Sequence, residues 1–403
     1  MNDFQVIVVG AGPAGSALAA FLGRRGVRTL LLDKETFPRD KVCGEYMSPE
    51  AVGILDRLGV LETVDLAPHR KLRGILIHSY DGSRSRGTYR PVGPYRPSRP
   101  YGIAIRRRIF DEILFRNAAS FPSVTALEGF RVDDLLIEDG RVVGVTGPRG
   151  SYHAALVVGA DGVRSVVARR LGLSEPAQDH QRFALSAYFT DVPHEDYGEL
   201  HLGFPGYFAL APVDANLVHL NFVVDRGSIE EARGDAEGYF LRHANANPRL
   251  EARLRRAERV GPVRATGPMA RRCRGTIAPG AMLVGDAAEF VDPFTGEGIY
   301  IALRSAELAA ATIADGAPPE RYERARDDEF REKFRMCWMV QKYLGRPKLA
   351  NFIVRRLAQS PELADRITAV TGDYAPPELV STFSFYLELL NPFGGRKVTH
   401  AVG

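Results

Sequence analysis

The chain has 403 residues, of which 45% are hydrophobic and 25% charged, with a formal net charge of +4. That balance suits a globular protein with more than one packed region, and no basic stripe with interleaved aromatics marks a nucleic-acid site. Three scattered cysteines and nine histidines without ligand spacing suggest neither a disulfide frame nor a metal centre.

The opening residues enter an apolar run, Phe4 to Val9, with no predicted signal peptide. Gly10-Ala11-Gly12-Pro13-Ala14-Gly15 follows and opens an alanine-rich helix through Leu22 that stops at Gly26. Gly10 permits a tight turn, Gly12 lets backbone approach a pyrophosphate, and Gly15 lets helix pack on sheet. The helix N-terminus offers free N–H groups and a positive dipole end to phosphates. A second strand, Val27 to Leu32, ends in Asp33, 18 residues after Gly15 and suited to a ribose. Lys34 is grouped with it as a cofactor contact.

Further on, a helix is predicted from Pro49 to Leu58 and a strand over Ile75 to His78. A Pro-, Arg- and Tyr-rich loop is expected from Arg84 to Tyr101, then a helix from Arg107 to Ala119. A meander is predicted over Thr125 to Val132, Asp134 to Glu138 and Arg141 to Thr146, with a hairpin turn at Asp139-Gly140. The run Ala155 to Val158 leads into Gly159-Ala160-Asp161-Gly162. Strands are expected at Phe183 to Thr190, Glu199 to Gly203, Tyr207 to Pro212 and Leu217 to Val224, then a helix around Ala232 to Asn245. The run Ala281 to Val284 leads into Gly285-Asp286, and a loop holding Pro293, Gly296, Glu297 and Gly298 leads into a helix from Ile299 to Ala311. The remainder reads as helical, broken at Pro347, Pro361 and Pro376-Pro377.

Three strand-ended glycine and aspartate motifs read together as one FAD site. A simple NAD site needs only the first; Asp161 and Asp286 add acids able to accept hydrogen bonds from ribose or ribitol hydroxyls. The start of the helix at Gly298-Ile299 offers N–H groups that stabilise negative charge on a reduced flavin ring. The expected architecture is α/β: a Rossmann-type, discontinuous FAD-binding domain (1–70, 99–175 and 265–315), a β-sheet substrate domain (71–98 and 176–264) and a C-terminal helical region (316–403).

On these motifs the chain resembles the superfamily of FAD-dependent aromatic hydroxylases, flavin halogenases and geranylgeranyl reductases, with the glutathione reductase/p-hydroxybenzoate hydroxylase-like fold. Phe37-Pro38-Arg39-Asp40-Lys41-Val42-Cys43-Gly44-Glu45 and Pro293-Phe294-Thr295-Gly296-Glu297-Gly298-Ile299 are similar to segments of its geranylgeranyl reductase-like branch. Arg107-Arg108-Ile109-Phe110-Asp111 is similar to the family's Arg-x-x-Phe-Asp, which implies Arg107 near FAD. The resemblance further implies backbone at Val132 near the adenine and the loop of Cys43 and Glu45 near the flavin. It also departs: Gly206-Tyr207-Phe208-Ala209-Leu210-Ala211-Pro212 stands where the branch often has Gly-Tyr-x-Trp-x-Phe-Pro, and the single Trp338 stands against the two-tryptophan halogenase motif.

The expected function is a flavin oxidoreductase with non-covalent FAD acting on a hydrophobic small molecule, foremost a reductase or dehydrogenase of carbon–carbon double bonds. An aromatic or polyketide-like monooxygenase is the alternative, and a non-enzymatic lipid escort on the same fold is a third reading. Cys43, Glu45 and Tyr207 are the candidate catalytic residues. NAD(P)H or another reductant is the expected donor. The expected setting is the cytoplasm, with peripheral membrane contact left open, since no apolar run reaches the ~20 residues that span a bilayer.

Overall fold

The computed structural model describes residues 3–176 and 181–390. Its central sheet is built on the first strand, Phe4–Val9, which pairs in parallel with Thr29–Leu32 on one side and Gly150–Gly159 on the other. Ala281–Leu283 adds in parallel beyond Gly150–Gly159, and Val124–Leu127 beyond Thr29–Leu32. Parallel pairing needs crossovers, and helix Pro13–Gly23 makes the first one. That helix is buried almost all round, wedged between the sheet and the helices Gly298–Ala314 and Arg107–Ala119. Alanine at positions 17, 19 and 20 keeps it thin enough for such packing.

The meander Asp134–Glu138 and Arg141–Gly147 folds antiparallel onto Gly150–Gly159. Its turn carries Asp139 and Gly140 both at positive φ (47° and 75°), as a two-residue hairpin requires. The first strand of the expected meander stops at Leu127; Gly129 takes positive φ and Phe130 N–H bonds back to Asp33, so the chain turns there.

A second sheet runs in the order Glu258–Thr266, Arg182–Thr190, Leu217–Asp225, Gly206–Asp214, Gly198–Leu202, Gly74–His78, Arg84–Thr88. Two of its strands correct the sequence reading. Arg84–Thr88, expected as loop, and Glu258–Thr266, not predicted, are both edge strands. Their polar sequences carry no apolar alternation because one neighbour and one face are missing. The predicted helix over 232–245 is Ala236–Ala246, capped by the Asp235 side chain on Gly238 N–H. Beyond Pro319 the described residues are helical, in pieces that start at Glu320, Pro347, Pro361, Glu378 and Phe383.

The first glycine motif shows two packing regimes. A β-carbon on Gly15 would sit 1.8 Å from the Gly10 carbonyl oxygen, whereas one on Gly12 meets only Arg39 Nη2, at 3.7 Å. Gly15→Ala should therefore lose about 1–3 kcal/mol, although glycine to alanine in a helix ordinarily gains about 1 kcal/mol. Gly12→Ala, at the helix N-cap, should stay within about 1 kcal/mol of the parent. Chemical denaturation of the two variants checks this; equal stabilities overturn it.

Candidate functional site

The three fingerprint strands end side by side. Register pairs Val9 with Gly159 and Gly159 with Leu283, so Gly10, Ala160 and Val284 leave the sheet at one edge. Contacts there are backbone-close. A β-carbon on Gly10 (φ 99°) would lie 2.6 Å from the Ala160 carbonyl oxygen, and one on Gly285 (φ 58°) 2.9 Å from the Ala14 Cβ. Pro13 occupies the first helical turn, where its missing N–H is no loss. Asp33 is buried; its Oδ2 accepts the Ala11 N–H at 2.7 Å and its Oδ1 the Glu35 N–H at 2.9 Å. Each oxygen keeps a lone pair for a ribose hydroxyl.

Asp286 is half-buried, and no described residue hydrogen-bonds its carboxylate. Withdrawal from water raises that carboxyl above the ordinary range, against the pull of Lys41 and Arg107. Asp161 differs: its Oδ2 accepts the Val166 N–H at 2.6 Å, which caps the next helix, and its buried Oδ1 has no partner. The loop after Asp33 brings cations across the cleft. Arg39 lies over Gly12, and Lys41 Nζ stands 3.9 Å from a β-carbon position on Gly162. Arg107 donates to both oxygens of Asp111 through Nε and Nη2, at 2.6 and 2.8 Å, and Arg39 reaches the same carboxylate at 3.0 Å. Open backbone at Gly12, an unengaged Asp286, an orphaned Asp161 oxygen and this cationic rim fit FAD, with pyrophosphate at the helix N-terminus. Arg39 and Lys41 were not singled out from sequence, although both stand in a motif-bearing segment.

Lys34 is exposed, with Nζ 3.8 Å from Glu35 Oε1. Val132 is buried in the core under the sheet. Gly296 (φ 73°) packs so close to the Tyr46 ring that a β-carbon would meet it at 2.8 Å. The Pro293 side chain lies outside the described residues; Gly298 opens its helix and Ile299 is buried there. Cys43 is partly buried against Arg107.

Glu45 stands at the junction of the two sheets, at positive φ (56°) and 1% exposed. Its Oε1 accepts the Arg107 N–H at 3.0 Å and the Tyr188 hydroxyl. His219 Nδ1 is 3.5 Å from Oε2, and the His219 ring stacks on Tyr188. Burial raises the Glu45 carboxyl to about 7. Burial and the Arg106 charge push His219 down to about 3, so it stays neutral and gives Glu45 no counter-charge. Tyr188 and His219 were not read from sequence; they face one another only because strand register pairs them.

Tyr207 faces the same way as Ala209 and Ala211 but is tied down. Its hydroxyl donates to Asp292 Oδ1 at 3.1 Å, and its ring meets Phe294 edge-on. It braces the 292–298 loop, and burial holds its phenol well above its usual range. An apolar cavity of about 290 Å³ lies between the second sheet and the C-terminal helices. Leu200, Ala209 and Ala211 line it from the sheet. Met336, Ile353 and Ile367 line it from the helices, and Gly44, Thr295 and Gly296 close the end next to the cofactor loops.

Strand pairing assembles one group of potential metal ligands among the described residues that sequence spacing did not show. His78 lies opposite His201, and both Nε2 atoms face Glu199 Oε2, at 3.6 and 3.0 Å. Arg253 already grips both oxygens of that carboxylate, at 2.7 and 3.1 Å. A divalent ion would add two uncompensated buried charges, so the group is balanced as a structural ion pair.

Two measurements test these assignments. Asp286→Ala should weaken FAD binding about tenfold or more, the value of a hydrogen bond to a charged group. The exposed Glu35→Ala should not. Titration of apoprotein with FAD decides, and equal affinities overturn the assignment. For Glu45, an ordinary carboxyl near 4.5 in the unfolded chain against about 7 when folded means the folded chain binds more protons between those values. Stability must then fall as pH rises through that window and level off above it. Glu45→Gln should remove that component of the slope; identical slopes in denaturant unfolding would show that another group titrates.

The FAD binding domain family matches residues 3–317. Menaquinone reductase of Mycolicibacterium smegmatis is 32% identical over 344 residues, covering 77% of this chain and 76% of that protein. Digeranylgeranylglycerophospholipid reductase of Methanothrix thermoacetophila is 30% identical over 327 residues, covering 77% of this chain and 78% of that one. Among solved structures, the myxobacterial chondrochloren halogenase superposes with a TM-score of 0.75 at 29% identity, covering 82% of this chain and 80% of its own. The chain therefore belongs to the FAD-binding family of flavoproteins that includes these reductases and halogenases, and it is an FAD-dependent oxidoreductase.

Proposed function

We propose that this enzyme reduces a carbon–carbon double bond in a hydrophobic small molecule. The observation that carries the reading is the cavity: an apolar slot whose closed end is made by the cofactor loops, through Gly44, Thr295 and Gly296. A substrate held there is desolvated beside the cofactor. Two relatives at 30% identity or above are named as reductases of menaquinone and of a digeranylgeranyl lipid, which supports the same substrate class.

When bound and reduced, FAD supplies a hydride; the chain supplies orientation and electrostatics. Asp286 and the rim of Arg39, Lys41 and Arg107 hold the cofactor. Tyr207 and Asp292 fix the 292–298 loop, whose helix start favours negative charge on the reduced ring. Glu45 sets the strained loop between Cys43 and Tyr46, through Arg107 and Tyr188, rather than entering the cavity itself. Ala209 and Ala211 leave the width that aromatic residues fill in related chains.

The reaction is tested by supplying the reduced enzyme, without oxygen, with polyprenyl lipids and prenylated quinones. Gain of two hydrogens supports the reading. Products formed only with oxygen, carrying one added oxygen atom, overturn it in favour of a monooxygenase. Ala209→Trp should cut turnover at least about tenfold by filling the cavity while FAD content stays normal. Its stability is checked separately, because overpacking costs about 1–3 kcal/mol. Parent-like turnover in this variant would show that the strand does not shape the substrate site.

A further inference from the structure

Saturating a double bond takes a proton as well as a hydride, and among the hydroxyls of the cavity wall the one to consider stands in the loop that leads into helix Gly298–Ala314. It is Thr295. Its Oγ1 lies 3.3 Å from the Cys337 sulfur, which in turn lies 3.3 Å from Glu297 Oε2. Glu297 is 2% exposed, and its other oxygen is buried without a hydrogen-bond partner. Lys333 stands 3.9 Å from Glu297 but 2.7 Å from the buried Asp373. Two carboxylates thus share one ammonium out of reach of water, and the nearer one, Asp373, has it. An ionised Glu297 would leave a net negative charge buried.

We propose that Glu297 is the proton source of the reaction, passing its proton through the Cys337 thiol and the Thr295 hydroxyl into the cavity. This rests on the reading of the enzyme as a double-bond reductase. FAD held by Asp286, Arg39, Lys41 and Arg107 would, when reduced by a nicotinamide nucleotide or another two-electron donor, supply the hydride that one carbon of the double bond accepts. The π pair takes the Thr295 Oγ1 proton at the other carbon. Oγ1 takes the thiol proton and the sulfur takes the proton of Glu297 Oε2. Hydroxyl and thiol end unchanged, and Glu297 ends as a carboxylate facing Lys333 until solvent reprotonates it. Burial raises the Glu297 carboxyl above its ordinary range against the pull of Lys333, and the Asp373 charge adds to the rise. Burial also keeps Cys337 a thiol, while Asp373 and Glu297 hold Lys333 as an ammonium. The other groups facing this set are Tyr46, Ser48 and Glu50 from the segment after Cys43, Asp292 near the Cys337 thiol, Tyr300 over the ammonium, and Glu329.

The test combines kinetics with infrared titration of the purified protein. Glu297→Gln should lower anaerobic turnover about 100-fold, remove the high-pH limb of the rate profile, keep FAD content, and erase one carboxylic-acid carbonyl band. Asp373→Asn should free Lys333 for Glu297 and move both limb and band to lower pH. Thr295→Val should lose turnover yet keep the band, which separates the relay from its source. A Glu297→Gln enzyme with parent turnover and an intact limb overturns the proposal, as does a band that survives the substitution. Should the parent enzyme saturate no double bond, the function reading fails, while the infrared bands still decide where the proton resides.

Discussion

The close approach of Gly10 to the Ala160–Asp161 backbone is the constraint on which the cofactor cleft depends. A β-carbon there would lie 2.6 Å from a carbonyl oxygen and 2.8 Å from the Asp161 Cα. Only with that side chain missing can the first strand, Phe4–Val9, and its neighbour Gly150–Gly159 end at the same height. Hydrogen bonds across the edge then lock it: Gly10 N–H to Leu32, Ala160 N–H to Val9, Val284 N–H to Gly159. The helix N-terminus, Asp33 and Asp286 meet because these strand ends do.

Electrostatics around that edge are paired unevenly. Asp111 is fully buried and holds two arginines, and so fixes the cationic rim at the expense of no other carboxylate. Asp286, Glu45 and Glu297 have no such arginine grip, and burial raises all three carboxyls above the ordinary range. Unpaired buried carboxyls lower stability. Perturbed carboxyls of this kind cluster at functional sites.

At the apolar cavity, the second sheet and the C-terminal helices meet over small residues. Ala209, Ala211, Gly44 and Gly296 leave space in a wall that also carries large apolar side chains such as Leu200, Met336 and Ile353. Polar ties hold the two halves around that space: Glu297, Lys333 and Asp373 link the cofactor loop to the helices, and Tyr207 links the sheet to the same loop. The cavity is thus bounded on one side by the loop that also serves the cofactor.

Local rules determined a large share of this. A strand, a glycine turn and an alanine helix are specified within a few residues of each other, so the three fingerprints, Asp33, Asp286 and the Asp139-Gly140 hairpin were legible in the chain itself. The edge strands Arg84–Thr88 and Glu258–Thr266 were not, because an edge has no second partner to impose alternation. Pairs such as Tyr188 with His219 and His78 with His201 depend on strand register, and Glu297 with Lys333 and Asp373 on helix packing. These residues lie 31 to 123 positions apart, or in the third case 36 to 76. No spacing rule reaches that far. The sequence by itself determined the FAD-binding family and the strand ends at which its glycine and aspartate motifs stand. Tertiary structure alone decided which carboxyls are stripped of water and counter-charge, since burial and pairing are properties of the packed chain.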